Sequence, residues 1–555
     1  MSDDRPPRED RKPDSHGPGE AAPVLGPIGG RNLSRRQVLV TFGGVLLAMF
    51  LSSLDQSIVG TALPRIIADL NGFEHYTWVA TAYLLTSTAM VPIVGRLTDM
   101  YGRKWFYIVG IVIFLIGSAL CGLSQSMTQL IAFRGLQGIG AGIMMTNAFI
   151  VIGDLFPPSE RGKYVGIVMS VFGFSSVIGP LLGGVITEHL SWHWIFYVNL
   201  PIGIPVIFAF VRFFPAFEPL SAGHRIDHAG IATVVLSIVS LVLGLSWGGI
   251  YGWRSAYVIW SLVASGALLA AFVVTESRAA DPVLPLHIFR NRVVVVSLAA
   301  RFGLGVGMFG VIIFIPLFFQ FVLGQSATNS GIVLMPMMLG MVVGSTLSGQ
   351  AVSRLGGHYR TQALIGLAIL AAGMYLMSRM TPDTTYLRAA INTGVTGFGM
   401  GIAMPLFVIA VQNAVPYSIM GVATSSIQFF QSIGQVIGLA VFGSVMADRF
   451  ASNLTGNDFV VSLPLPSETF SALVNNVEAL GDKRAMEQLQ AVFSQLGDEG
   501  PGLLERFMTV LREALASAIT DVFVIALAVI VVAWVVTLFL KEVPLRRSHG
   551  PASVE

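Results

Sequence analysis

Two charged residues stand alone in apolar surroundings. Asp55 lies inside the run 37–62, and Arg134 lies in a stretch otherwise uncharged from Trp105 to Gly153. An ionised side chain in hydrocarbon costs about 2.5–3.5 kcal/mol on insertion scales, so such groups mark ion or substrate paths. Burial penalises the charged carboxylate, which suits Asp55 to taking up and releasing a proton. A guanidinium keeps its proton, so the part of Arg134 would be electrostatic, acting on an acid whenever conformation brings the two together. The chemistry this pair predicts is proton coupling. The structural alternatives are a carboxylate that bonds neighbouring helices and an arginine fixed on backbone carbonyls of the first span.

A second charged group gathers at segment ends: Asp99, Arg103 and Lys104 within Gly95-Arg-Leu-Thr-Asp99-Met-Tyr-Gly102-Arg103-Lys104, then Asp154 and Arg161. An acid at a helix N-terminus gains about 0.3–1 kcal/mol, enough to bias two states without freezing either; the alternative is a cluster that serves topology alone. Gly138, Gly140 and Gly142 superficially suggest a phosphate loop, but they sit in an apolar helix with no strand before them, which excludes that reading. Small residues at such spacing let helices approach closely in lipid. Gly179-Pro180-Leu-Leu-Gly183-Gly184 removes a backbone donor inside a span and predicts a kink. By helix position, Gln137, Met145, Asn147, Phe314, Phe318, Gln320, Gln428, Phe429 and Gln431 are candidates to line a cavity, with ordinary packing as the alternative. Arg301 is expected to reach the interface by snorkelling.

These residues need elements to hold them, and composition says which kind. Of 555 residues, 54% are hydrophobic and 12% charged, where a soluble domain carries about 25% charged. Only lipid can cover such a surface. A spanning helix needs about 20 mainly apolar residues, and the chain offers fourteen such runs, near 37–62, 76–96, 105–124, 127–153, 162–187, 194–212, 228–248, 255–275, 293–322, 328–352, 360–379, 386–411, 420–446 and 520–540. Lys and Arg alternate from loop to loop: one side holds Arg96, Arg103, Lys104, Arg161, Lys163, Arg212, Arg225, Arg278, Arg290, Arg292, Arg354, Arg360, Lys541, Arg546 and Arg547, while the opposite short loops offer Arg65, Arg254, Arg379 and Arg388. The positive-inside rule then places both termini in the cytoplasm. Cys121 is the single cysteine, so no intrachain disulfide forms. Residues 447–519 form a long outer loop with two amphipathic stretches, around 470–480 and 503–511, expected as two short helices on the outer face.

Four strings carry a resemblance: Leu54-Asp55-Gln-Ser-Ile-Val-Gly-Thr-Ala-Leu63-Pro64, the Gly95–Lys104 loop, Arg134-Gly-Leu-Gln137-Gly138-Ile-Gly140-Ala-Gly142, and Gly179-Pro180-Leu-Leu-Gly183-Gly184. Together and in this order they closely resemble the signature motifs of the major facilitator superfamily, and with fourteen spans the chain looks like its drug:proton antiporter family. Ser175 and Tyr107 are minor departures. A degenerate copy of the loop motif runs from Ser353 to Arg360 and lacks the acid. The resemblance implies an all-α membrane fold of two pseudo-symmetric six-helix bundles with two inserted central helices, a substrate site between them and alternating access. The expected division is a disordered cytoplasmic tail (1–36), a bundle (37–212), an inserted helix pair with linkers (213–292), a second bundle (293–540) containing the outer loop, and a cytoplasmic tail (541–555). It also implies that Arg134 takes part in proton coupling, that Asp99 caps a helix of the other half, that Arg103 pairs with Asp154, and that the Gly179-Pro180 motif goes with export.

The expected function is proton-driven export of a small amphiphilic drug or toxic compound across the plasma membrane. The alternatives are export of an endogenous lipid or metabolite, or a non-transporting membrane sensor. Neither a nucleophile–base set nor a metal or nucleotide site emerges, so an enzyme, a cofactor and a nucleic-acid partner are not expected. The partners are the substrate, protons and the bilayer. A monomer suffices for this fold, and the sequence leaves the oligomeric state open.

Overall fold

Lipid offers no partner for a backbone N–H or C=O, so apolar runs of this length must satisfy their own hydrogen bonds as helices. The computed structural model describes residues 34–70, 76–215, 227–324, 334–354, 357–463, 483–494 and 500–544. Its helices are α1 (Arg35–Leu70), α2 (Tyr76–Tyr101), α3 (Arg103–Gly122), α4 (Met127–Leu155), α5 (Pro158–His189), the short α6 (Trp194–Tyr197) continued by α7 (Asn199–Phe213), α8 (His228–Tyr251), α9 (Ala256–Arg278), α10 (Arg292–Leu317), α11 (Leu334–Arg354), α12 (Tyr359–Ser378), α13 (Tyr386–Ala414), α14 (Met420–Thr455), α15 (Asp458–Ser462), α16 (Lys483–Ser494) and α17 (Gly500–Thr537). Thirteen helices among the described residues are long and apolar enough to cross a bilayer. The remaining expected span is α11, whose 21 residues rise about 31 Å; its expected start at 328 lies outside the described residues, as do 1–33 and 545–555 of the two tails.

Sequence signals set several helix starts. Ser126 caps α4 through the Gln129 N–H, Asp227 caps α8 through Gly230, and Asn291 caps α10 through Val293, each satisfying an otherwise orphaned donor. Between α2 and α3, Gly102 has φ 85°, a conformation that only glycine adopts without strain.

α1 packs on α4, α5 and α7, with α2 and α3 on α4; α10 packs on α13, α14 and α17, with α11 and α12 on α13. The most extensive crossings between these sets are α2 on α14 and α5 on α11. A Cβ on Gly95 would strike Gly421 and Ser425, and one on Gly162 would lie 2.7 Å from the Gly349 Cα. The crossings are related: Gly95 and Gly349 each stand four residues before the corresponding motif positions Asp99 and Ser353, and Gly162 and Gly421 each stand eight after Asp154 and Asn413. A duplicated pair of glycines thus makes both contacts. Overpacking such a contact costs about 1–3 kcal/mol. Gly349→Val is therefore expected to pry α5 from α11 and to slow transport about tenfold while the protein still inserts. Unchanged transport with the valine in place would show that the close approach is dispensable.

The inserted pair α8–α9 sits on the α2–α14 seam. Val234, Ile238 and Phe272 join Ala89 and Val91 of α2 and Val422 of α14 in one apolar cluster. The outer side of α9 is bare, with Trp260 70% exposed.

The outer loop corrects the sequence reading. α17 starts at Gly500, not near 520, so the expected helix around 503–511 is the first part of the last span rather than a separate element. Phe507, Leu511, Leu515, Ile519 and Phe523 are all buried and form one unbroken stripe with no helix breaker between them. The stretch around 470–480 lies outside the described residues. A different helix, α16, lies on α17 with Phe493 and Phe507 5.5 Å apart. With 36 and 38 residues, α14 and α17 rise about 54 and 57 Å, longer than the roughly 30 Å hydrocarbon core. They project beyond it together, tied by Asn453 donating to the Ala514 carbonyl (3.3 Å).

Candidate functional site

Five helices converge on Asp55. The carboxylate of α1 accepts Arg134 of α4 on Oδ2 (2.5 Å) and Gln137 of α4 (2.8 Å) and Asn199 of α7 (3.2 Å) on Oδ1. Arg134 and Gln137 reach it together because, three residues apart, they share a helix face; Arg134 also donates to Gln137 Oε1 (2.8 Å). The guanidinium lies 4.2 Å over the ring of Tyr83 on α2, where a desolvated cation–π contact adds attraction. Asn199 is held in turn by Ser118 of α3 (2.9 Å). Asp55 and Arg134 are buried. Three donors from α4 and α7 thus meet on one carboxylate of α1. The backbone carbonyl that Arg134 reaches is Val79 of α2 (3.4 Å), not one of the first span.

The second group is also built. Arg103 bonds Asp99 (2.6 Å), Asp154 (2.8 Å) and the Thr98 carbonyl (3.0 Å). Asp99 then accepts the Val422 N–H in the first turn of α14 (3.3 Å), and Asp154 accepts Tyr417 (2.9 Å). Arg161 donates to the carbonyls of Phe156 and Gly153 and to Gln412 of α13 (3.2 Å), whose amide reaches the Phe149 carbonyl (3.3 Å). These bonds cross between the two helix sets on the side of the basic loops, closing that side. Lys104 is not part of the cluster: its ammonium donates to the Val211 carbonyl at the end of α7, because consecutive residues of α3 point about 100° apart around the helix axis.

The packing motif is divided. Gly138 and Gly142 face α2, where a Cβ would strike the Tyr83 and Ser87 carbonyls; Gly179 and Gly183 face Ser57 and Thr61 of α1, while nothing lies within 4 Å of a Cβ on Gly184. Gly184 is thus not a packing residue. Pro180 lies inside the continuous α5. The cavity candidates scatter. Gln137 belongs to the Asp55 site; Phe314 and Phe318 are core residues of the C-terminal set; Met145 packs on the N-terminal core; Phe429 packs at the α8 seam. Gln320 is half-buried on a π turn, Phe318–Val322. Gln431 lies 4.0 Å from the Met308 sulfur. Asn147 is buried, and neither amide atom is bonded among the described residues. Gln428 accepts Arg301 (3.2 Å). Arg301 does not snorkel: it is buried, and its other bond is to the Met404 carbonyl (3.1 Å), because it stands too far inside α10 to reach the interface. Tyr83, Asn199, Gln412 and Tyr417 were missed by sequence reasoning. Polar residues near span ends are common, and only Asn199, before Pro201 in an apolar run, carried a signal.

The family sequence model described as Major Facilitator Superfamily matches residues 45–229 and 223–439. The chain belongs to that superfamily. It is a multi-pass integral membrane protein of a transporter family. The protein named multidrug transporter protein MdtP, from Bacillus subtilis (strain 168), is 39% identical over 524 residues, covering 92% of this chain and 94% of its own length. Multidrug resistance protein 3 of the same organism is 38% identical over 503 residues, covering 90% and 94%. Among solved structures, the human organic anion transporter MFSD10 superposes with a TM-score of 0.59 at 13% identity, covering 89% of this chain and 99% of that one. That likeness bears on the fold alone: all-α, of the major facilitator type.

Proposed function

We propose that this superfamily member exports amphiphilic drugs or toxic compounds across the plasma membrane by proton-coupled alternating access, with both termini in the cytoplasm. The observation that carries the reading is the buried Asp55–Arg134 pair with its donors from separate helices; the names of the two Bacillus relatives support the cargo class. The two units that rock would be 37–212 and 293–540. On this reading the basic-loop side is the cytoplasmic one, and the bonds of Asp99, Arg103, Asp154 and Arg161 hold it closed. A proton from outside reaches Asp55, displaces Arg134 and Gln137, and frees α4 from α1. The set then reopens inward, the proton leaves, and the restored ion pair resets the cycle. The driving force is about 1.4 kcal/mol per pH unit plus about 2.3 kcal/mol per 100 mV.

Efflux from proteoliposomes under an imposed pH gradient, screened over cationic, neutral and anionic amphiphiles, tests this. Gradient-dependent movement that a protonophore abolishes is the expected result. Movement indifferent to the protonophore would remove proton coupling, and no movement of any probe would remove the transport reading.

A further inference from the structure

Eight charged side chains are buried in the described helices: Asp55, Asp99, Asp154, Glu276, Arg103, Arg134, Arg161 and Arg301. Asp55 pairs with Arg134, and Asp99 and Asp154 pair with Arg103; Glu276 accepts the Val283 and Leu284 N–H groups, and Arg161 stands at the inner cluster on the Phe156 and Gly153 carbonyls and Gln412. Arg301, deep in α10, has no acid beside it among the described residues. It is 1% exposed, and its bonds among the described residues go to two neutral oxygens, the Met404 carbonyl and Gln428 Oε1, while its Nε has no partner. One helical turn away, Ser297 is also buried with its hydroxyl unbonded. One turn along α14 from Gln428, the Oε1 of buried Gln431 is likewise unbonded. A lone guanidinium in a low dielectric is costly unless an anion meets it, whereas Arg134 and Arg103 each have a carboxylate at hydrogen-bond distance.

We propose that Arg301, with Gln428, receives an anionic group of the exported amphiphile: a carboxylate, sulfonate or phosphate. The guanidinium fork matches such groups, binding two oxygens at once, and the Nε2 end of the Gln428 amide is a further donor. Gln428 is half-buried and stands over the otherwise buried arginine. Arg301 lies nine residues into α10 from Arg292, about 13 Å of helix rise, too deep for an interfacial lipid headgroup. It is nearer the basic-loop side, whereas Asp55 lies eight residues from the opposite end of its span at residue 63. The anion site and the proton site are thus separated in depth. An anion site near the basic loops is covered in the closed arrangement seen here and uncovered when that side opens, which fits loading of cargo from the cytoplasm. This inference rests on the export reading above.

The test uses the purified full-length protein at neutral pH without a gradient. The probes are a dansylaminoundecanoate, its methyl ester and a dansyl quaternary ammonium, read by fluorescence anisotropy. The wild type should bind the carboxylate about tenfold more tightly than the ester. R301Q should abolish that difference and leave ester and ammonium affinities within about twofold, and R301K should retain part of it. Equal wild-type affinities for carboxylate and ester would overturn the proposal, as would an R301Q variant that weakens all three probes alike. Should R301Q fail to fold, the wild-type ratio and R301K decide. Gradient-driven efflux of the quaternary ammonium by the wild type tests the export reading separately, because that probe makes no demand on Arg301.

Discussion

Asp55→Asn is expected to lower gradient-driven efflux about a hundredfold, or about 2.8 kcal/mol at 1.4 kcal/mol per decade, while the protein still reaches the membrane. Asparagine keeps the shape and can still accept a hydrogen bond, but it neither ionises nor binds a proton. It also leaves Arg134 buried without its counter-charge, and removing one member of a buried pair costs about 3–5 kcal/mol of stability. A loss of activity alone would therefore be ambiguous. The double variant Asp55→Asn with Arg134→Gln resolves it, because removing both charges relieves the unpaired guanidinium. Thermal stability should recover in the double variant and gradient-driven efflux should not. Were the pair only a structural tie between α1 and α4, efflux would return along with stability, and the coupling role would have to be given up.

The next largest effect is expected at Arg103. Its guanidinium bridges Asp99, Asp154 and the Thr98 carbonyl, all buried. Arg103→Ala leaves two neighbouring carboxylates without a cation between them, at a cost of about 3–5 kcal/mol. Asp99 and Asp154 hold Val422 and Tyr417 of the other helix set, so the loss falls on the closed state of the basic-loop side. The structure offers a reporter in Thr424, buried beneath this cluster and bonded to Gln412 (3.1 Å). In a background with Cys121 replaced by Ser, Thr424→Cys should react with a thiol reagent slowly in the parent and about tenfold faster after Arg103→Ala, with a lower melting temperature. Arg103→Lys should rescue poorly, since a single ammonium lacks the planar fork that serves three acceptors at once. Unchanged labelling and melting would mean that the cluster does not govern closure.

The glycine crossings belong to the same closure. Charges tie the α2–α14 crossing, where the loop motif is complete. The α5–α11 crossing, served by the degenerate copy, relies on close backbone approach at Gly162 and Gly349. The two seams are therefore expected to respond to different changes: salt-bridge variants at the first and added methyl groups at the second.

Much of this is legible in one dimension. A charge in hydrocarbon is conspicuous at any position along an apolar run, so Asp55 and Arg134 stand out by residue type and neighbours alone. Spans announce themselves because lipid imposes a length and an apolar composition on every one of them. The Asp99, Arg103 and Asp154 cluster is readable because helix ends concentrate charge in short loops. What the sequence by itself determined, then, is where the chain crosses the bilayer and which side chains pay most for being there. Tertiary structure alone decided who meets them. Gln137, Asn199 and Tyr83 surround the ion pair, Tyr417 and Gln412 close the inner cluster, Lys104 turns away, and Arg301 is left without an acid. A neutral polar side chain costs little to place near a span end, so it leaves no trace in composition or spacing. Its partner is chosen only when helices far apart in the chain pack together.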